Sequence, residues 1–236
     1  MNSKPRRLPG RPVRWALAAL ALAVAFGSAA PWAGSSSANA KAGSSDEIKK
    51  KLEGLSPEEQ IARLKELRER TPGDARVSFY LGNAFLTLAR PDSAAAAYEE
   101  AVKLDSTYTK AYVNLGIALE DLKRFDEARR RYEQALSIDS TDVLARCHLG
   151  HYYHSRGDLQ TAVEYYTRAI EIDPRSAQAH YNLGLAFADT RLFAEAMREW
   201  ETVIKLSPKS ELGRTAAENL RLIQTYVGKE SPHNTK

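Results

Sequence analysis

The pair Leu-Gly recurs at Leu81-Gly82, Leu115-Gly116, Leu149-Gly150 and Leu183-Gly184, 34 residues apart each time and without an insertion. A fixed period of this length marks stacked copies of one supersecondary unit, each burying its apolar face only against its neighbours. Twelve residues after each glycine stands an alanine: Ala94, Ala128, Ala162 and Ala196. Four further on comes a large aromatic, Tyr98, Tyr132, Tyr166 or Trp200, and three beyond that Ala101, Ala135, Ala169 or Val203. Steps of four and then three keep these residues on one face of a helix. Small residues at the glycine and alanine positions imply two helices in close approach, with glycine expected to pair with alanine.

The pattern resembles the tetratricopeptide repeat family over residues 75–210. Placing the Leu-Gly pair at repeat positions 7 and 8 gives four repeats, 75–108, 109–142, 143–176 and 177–210. The resemblance implies an all-α fold, an α-solenoid built as a right-handed superhelix of helix-turn-helix repeats, each with a helix A and a helix B. Position 32, where the family often places proline, holds Pro174 and Pro208 in the last two repeats. Ser106 and Ser140 stand there earlier, beside Asp105 and Asp139, which still supply turn chemistry. Arg146 and His180 occupy position 4, where the family prefers a bulky aromatic, and are expected to weaken packing locally.

The same frame organises the flanks. Ser56-Pro57-Glu58-Glu59 reads as a capping box with proline at the first helical position, opening a helix whose apolar face is Ile61, Leu64 and Leu67. Residues 41–74 therefore read as a linker and a degenerate repeat whose first helix, Asp46 to Glu53, is expected to fray. Beyond the fourth repeat, Leu212, Ala216, Leu220, Ile223 and Val227 define one side of a capping helix over 211–228, ended by Gly228. A polar tail, 229–236, follows.

Residues 1–40 read as an address. Lys4, Arg6, Arg7, Arg11 and Arg14 precede an apolar run of 12 residues, Trp15 to Phe26, and Ala38-Asn39-Ala40 offers a small-residue cleavage site. The run covers about 18 Å at helical rise, short of the roughly 30 Å hydrocarbon core. A cleaved signal peptide is expected, with an uncleaved N-terminal anchor as the alternative. Either outcome exports the body, and the layout resembles exported bacterial proteins, which implies a periplasmic body, soluble after cleavage or anchored to the inner membrane. Membrane contact is expected only through that segment.

Charge and motifs narrow the function. Five of the 34 basic side chains and none of the 30 acidic ones fall in residues 1–40, so the exported body is near neutral. That argues against nucleic acid, which demands clustered cations. Arg129, Arg130 and Arg131 read as a solvated helix face beside Glu127 and Glu133. Cys147 is the single cysteine, which excludes disulfide scaffolds. No GxSxG, HExxH, P-loop or GxGxxG motif is present, so the chain reads as no enzyme and no cofactor is implied.

The resemblance implies instead a concave groove lined by helix A, meeting a protein or peptide partner. Carried over by position, its residues are Arg76, Phe79, Tyr80, Asn83, Lys110, Asn114, Ile117, His148, His151, Tyr181, Asn182 and Leu185. The basic residues of a carboxylate clamp are missing, since Phe79, Leu144 and His148 stand in their places. Phe79, Tyr80 and Tyr181 read as rigid apolar anchors, and Asn83, Asn114 and Asn182 as partners for a peptide backbone. The leading expectation is a non-catalytic interaction scaffold in cell-envelope assembly or maturation. The alternative is a metal- or proton-responsive binding protein using His148, His151 and His154, which recur every three residues on one helix. The sequence leaves the partner and the oligomeric state open.

Overall fold

The computed structural model describes residues 45–230, and these form eleven α-helices and no strand. The expected leader at 1–40 lies outside the described residues. The repeats pair α3 (Ala75–Thr87) with α4 (Pro91–Leu104), and α5 (Thr109–Asp121) with α6 (Phe125–Ile138). They continue with α7 (Val143–Ser155) and α8 (Leu159–Ile172), then α9 (Ala177–Asp189) and α10 (Phe193–Leu206). Ahead of them stand α1 (Ser45–Leu52) and α2 (Pro57–Arg70), and α11 (Glu211–Glu230) closes the array. No described helix is long and apolar enough to cross a membrane.

Turn chemistry fixes where each helix stops. Inside every repeat the first helix ends on a residue with positive φ: Ala89 (52°), Lys123 (61°), Gly157 (82°) and Arg191 (62°). The next N–H then reaches back to a carbonyl of the last turn, Arg90 to Phe85 at 2.9 Å and Asp158 to Tyr153 at 3.0 Å, with Arg124 and Leu192 alike. This left-handed cap satisfies helix-end carbonyls, and only the third repeat supplies it with the unstrained residue, glycine. Between repeats the carboxylates of Asp105, Asp139 and Asp173 each accept the backbone N–H two residues on, at 2.9 Å. Asp74, Asp142 and Ser176 cap the N-termini of α3, α7 and α9 through their side chains. Tyr108, ahead of α5, makes no such bond; its ring lies 4.9 Å from that of Phe79 instead.

The repeat core corrects one sequence expectation. A Cβ on Gly82, Gly150 or Gly184 would stand 2.5 Å from the ring of Tyr98, Tyr166 or Trp200, and one on Gly116 would collide with Tyr132. Glycine therefore seats the helix B aromatic, not the alanine. Ala94, Ala128, Ala162 and Ala196 are sealed, each at most 1% exposed. The four rings are no more than 2% exposed, so each closes the interior of its own repeat.

Both ends depart from this scheme. The segment expected to fray is the helix α1, which buries Ile48 and Leu52. In the repeat frame Ile48 takes the glycine's place and Leu64 the ring's. The expected capping box of α2 is present, Ser56 accepting from the Glu59 N–H while Glu59 accepts from the Ser56 N–H. At the far end, α11 starts in the register of a helix A but carries Glu218 where a repeat has glycine. Ala216 and Ile223 are fully buried, whereas Val227 is exposed, against expectation. Tyr226 makes the contact in its stead, its ring 5.5 Å from that of Phe193. Gly228 lies inside the helix rather than ending it; one glycine costs a helix only about 1 kcal/mol.

The position 4 departures do not weaken the packing as expected at His180. It is buried, 2.6 Å from a Glu199 carboxylate oxygen through Nδ1 and 3.1 Å from the Pro174 carbonyl through Nε2. A polar ring is tolerated there because both nitrogens find partners. Arg146, by contrast, leaves its buried Nε without one.

Candidate functional site

First helices of successive repeats converge: α7 approaches α9, and α9 approaches α11. Side chains bridge them too, Asn114 of α5 donating to Asn83 of α3 at 3.0 Å and Asn219 of α11 donating to Tyr181 of α9 at 3.3 Å. The helix A face is thus the gathered side of the array and holds the residues expected to line a groove.

Most of those residues are half-buried, as a lining must be: Arg76, Tyr80, Asn83, Asn114, Ile117, His148, Tyr181, Asn182 and Leu185. Lys110 and His151 are exposed. Phe79 is the exception, only 8% exposed and set among the rings of Tyr80, Tyr98 and Tyr108. It supports the wall from behind and is not an open anchor. Two of the three asparagines are already engaged, since Asn83 also accepts the Tyr98 hydroxyl at 2.7 Å. Asn182 accepts from the Gln178 amide at 2.9 Å, which leaves its own N–H donors for a ligand. Arg76 is tied to Asp74 at 2.6 Å. The guanidinium holds that carboxyl below its usual range although burial pushes it up.

At the first end, α1, α2 and α3 surround an open cleft of about 630 Å³. Asp46, Lys49 and Glu53 face Tyr80, Asn83 and Thr87 across it, and the Tyr80 hydroxyl donates to the Ser45 carbonyl at 3.4 Å.

The three histidines of α7 do not converge on one point. His148 Nδ1 lies 3.2 Å from a Glu120 oxygen of α5, while His154 Nε2 lies 2.9 Å from Asp189 of α9. His151 stands between them, exposed and with no hydrogen-bond partner, and partial loss of hydration beside its neighbours lowers its pKa from 6.5. Among the described residues no group of three or more histidines, cysteines and carboxylates is placed to hold a metal. Cys147 is buried, which pushes its thiol up to about 12 and leaves it a packing residue. Arg129 pairs with Glu133 at 2.5 Å and lies over the Tyr152 ring, a helix-surface role like the one expected.

Sequence reasoning missed the Tyr132 hydroxyl. It is buried with no hydrogen-bond partner, because Ile117 stands where the first repeat has Asn83. That substitution was the available signal.

A helical-repeat solenoid with a lined inner face is the class these features define. A model described as tetratricopeptide repeat matches residues 85–148, and one described as TPR repeat matches 150–190. Over these residues the chain carries tetratricopeptide repeats. Among solved structures, MamA is similar at 24% identity and a TM-score of 0.59, over 70% of this chain and 95% of that one. MamA from residue 41 to its end, from Desulfovibrio magneticus RS-1, is similar at 22% identity and a TM-score of 0.60, over 70% and 94%. YrrB, described as a TPR protein with an unusual peptide-binding site, is similar at 21% identity and a TM-score of 0.57, over 74% and 88%. No curated protein sequence matches the chain.

Proposed function

We propose that this protein is a non-catalytic scaffold, exported by its N-terminal segment, that holds a partner polypeptide along its helix A face during assembly or maturation of the cell envelope. The observation that carries the reading is the state of that face. Tyr80, Ile117, Tyr181 and Leu185 are only half-buried although each lies on a helix with a sealed opposite side. Rigid aromatics and aliphatics left partly open in a row, interleaved with amide donors, suit an extended or helical segment. The peptide-binding site ascribed to YrrB is consistent with this, and the near-neutral body favours a mixed rather than a strongly charged ligand. Export rests on the basic, apolar and small-residue succession of residues 1–40.

Photo-crosslinking tests both parts. A benzoylphenylalanine at position 151, on the helix A face, should capture a partner in envelope fractions, and one at position 137, on the exposed end of α6, should not. Equal adducts at both positions would refute the groove. Sequencing of the isolated protein should find Lys41 as the first residue, or an intact N-terminus if the segment is kept as an anchor. Recovery from the cytoplasmic fraction alone would overturn the export reading.

A further inference from the structure

The helix B aromatics occupy equivalent places, yet their polar atoms are treated differently. Tyr98 donates to Asn83, and the Trp200 N–H donates to the Tyr181 carbonyl at 3.3 Å. Tyr132 is fully buried and its hydroxyl has no partner. A buried polar group left in this state costs free energy unless something completes it. The His148 ring lies flat on the Tyr132 ring, centroids 4.8 Å apart at 16°, and covers it from the groove side. Burial is the main cause that raises the phenol's pKa, and the Glu120 carboxylate held by the same histidine adds to it without meeting hydrogen-bond geometry with the hydroxyl. One carboxylate therefore faces two groups and is bonded to one. Asp121 adds a second negative charge beside it, and His151 adds an unengaged ring.

We propose that Glu120, Tyr132, His148 and His151 form a socket on the helix A face for the basic side chain, lysine or arginine, of the bound segment. The proposal rests on the reading of that face as a polypeptide-binding surface and specifies its ligand chemistry. An ammonium or guanidinium entering here donates to the Glu120 carboxylate and to a lone pair of the Tyr132 hydroxyl. His148 slides off the ring as the cation replaces it at Glu120. A charge-assisted bond to a carboxylate is stronger than a neutral one, which drives the exchange.

The socket is acidic. The groups that face it are Glu120 and Asp121 from α5, Tyr132 from α6, Asp142, His151 and His154 on α7, and Tyr166 from α8, while Asp189 of α9 holds His154. Carboxylates outnumber cations in that set, so a basic ligand side chain is favoured.

The test uses two pentapeptides, acetyl-Ala-Leu-Arg-Leu-Ala-amide and the same peptide with citrulline, a neutral isostere, in place of arginine. Titrated into the protein at pH 7.5, the arginine peptide should shift the ring Cε1–H resonances of His148 and His151 saturably. The citrulline peptide should bind about tenfold more weakly or worse, the scale of a charge-assisted bond. Glu120→Gln should abolish the difference. Tyr132→Phe should weaken it too while leaving the thermal midpoint unchanged or higher, because the hydroxyl it removes has no structural partner. Equal binding of the two peptides overturns the socket and spares the groove. A fall in thermal midpoint for Tyr132→Phe overturns it as well, by showing the hydroxyl to be structural. Binding by neither peptide also ends the proposal, and the crosslinks at positions 151 and 137 then judge the groove separately.

Discussion

Gly150 shows how little freedom one side chain has in this protein. Alanine is the better helix former by about 1 kcal/mol, so an exposed glycine here would be a mild defect. Its missing Cβ instead leaves room for the Tyr166 ring, 2.5 Å from where that carbon would stand. Overfilling a tight core costs about 1–3 kcal/mol. Gly150→Ala should therefore lower stability by about 1–2 kcal/mol despite the propensity gain, read as an earlier midpoint in urea unfolding. Adding Tyr166→Leu should restore part of the loss, because the smaller side chain leaves room for the added methyl. The small positions were legible in the sequence because a period exposes which residues share a face. The partner was not, because a period names the face and not what lies across from it. For the same reason Phe79 reads as an open anchor, although the rings of Tyr80, Tyr98 and Tyr108 close over it.

At the level of the element, the turns decide helix length more than the helices themselves do. Every first helix of the four repeats has 13 residues and every second has 14, although their compositions differ widely. The left-handed residue sets that limit. A side chain in this conformation costs roughly 1–2 kcal/mol, which Ala89, Lys123 and Arg191 sustain and Gly157 avoids. Gly157→Ala should lose about 1 kcal/mol and Lys123→Gly should gain a smaller amount, offset by the entropy of a new glycine in the unfolded chain. Thermal unfolding of the two single variants measures the opposite signs. Three of these four turns carry no glycine, so composition hid a feature that the 34-residue spacing could have placed. The α2 cap was legible, because Ser56 and Glu59 carry its chemistry in side chains three residues apart. The survival of α1 was not, because Ile48 and Leu52 gain their burial from distant helices.

At the level of the molecule, stability is a sum over units and the joints between them. Removal of residues 109–142 joins two turns of matching chemistry, at Tyr108 and at Val143, and should leave a shorter protein that unfolds cooperatively. Its denaturant sensitivity should fall, because less surface is exposed on unfolding. A molten product, with retained helical signal but no sharp transition, would contradict that additive picture. The groove belongs to this scale, and so does the limit on reading it. Position 9 runs Asn83, Ile117, His151 and Leu185, and the sequence shows that it varies. Only the assembled array shows that Ile117 leaves Tyr132 without a partner and that His148 roofs it.

Each aromatic ring is seated by a glycine of its own repeat, never by a glycine of the next. A gene that copies or drops one such stretch thus inherits a finished joint, and the length of the binding surface is free to change in whole steps without a new interior having to be invented.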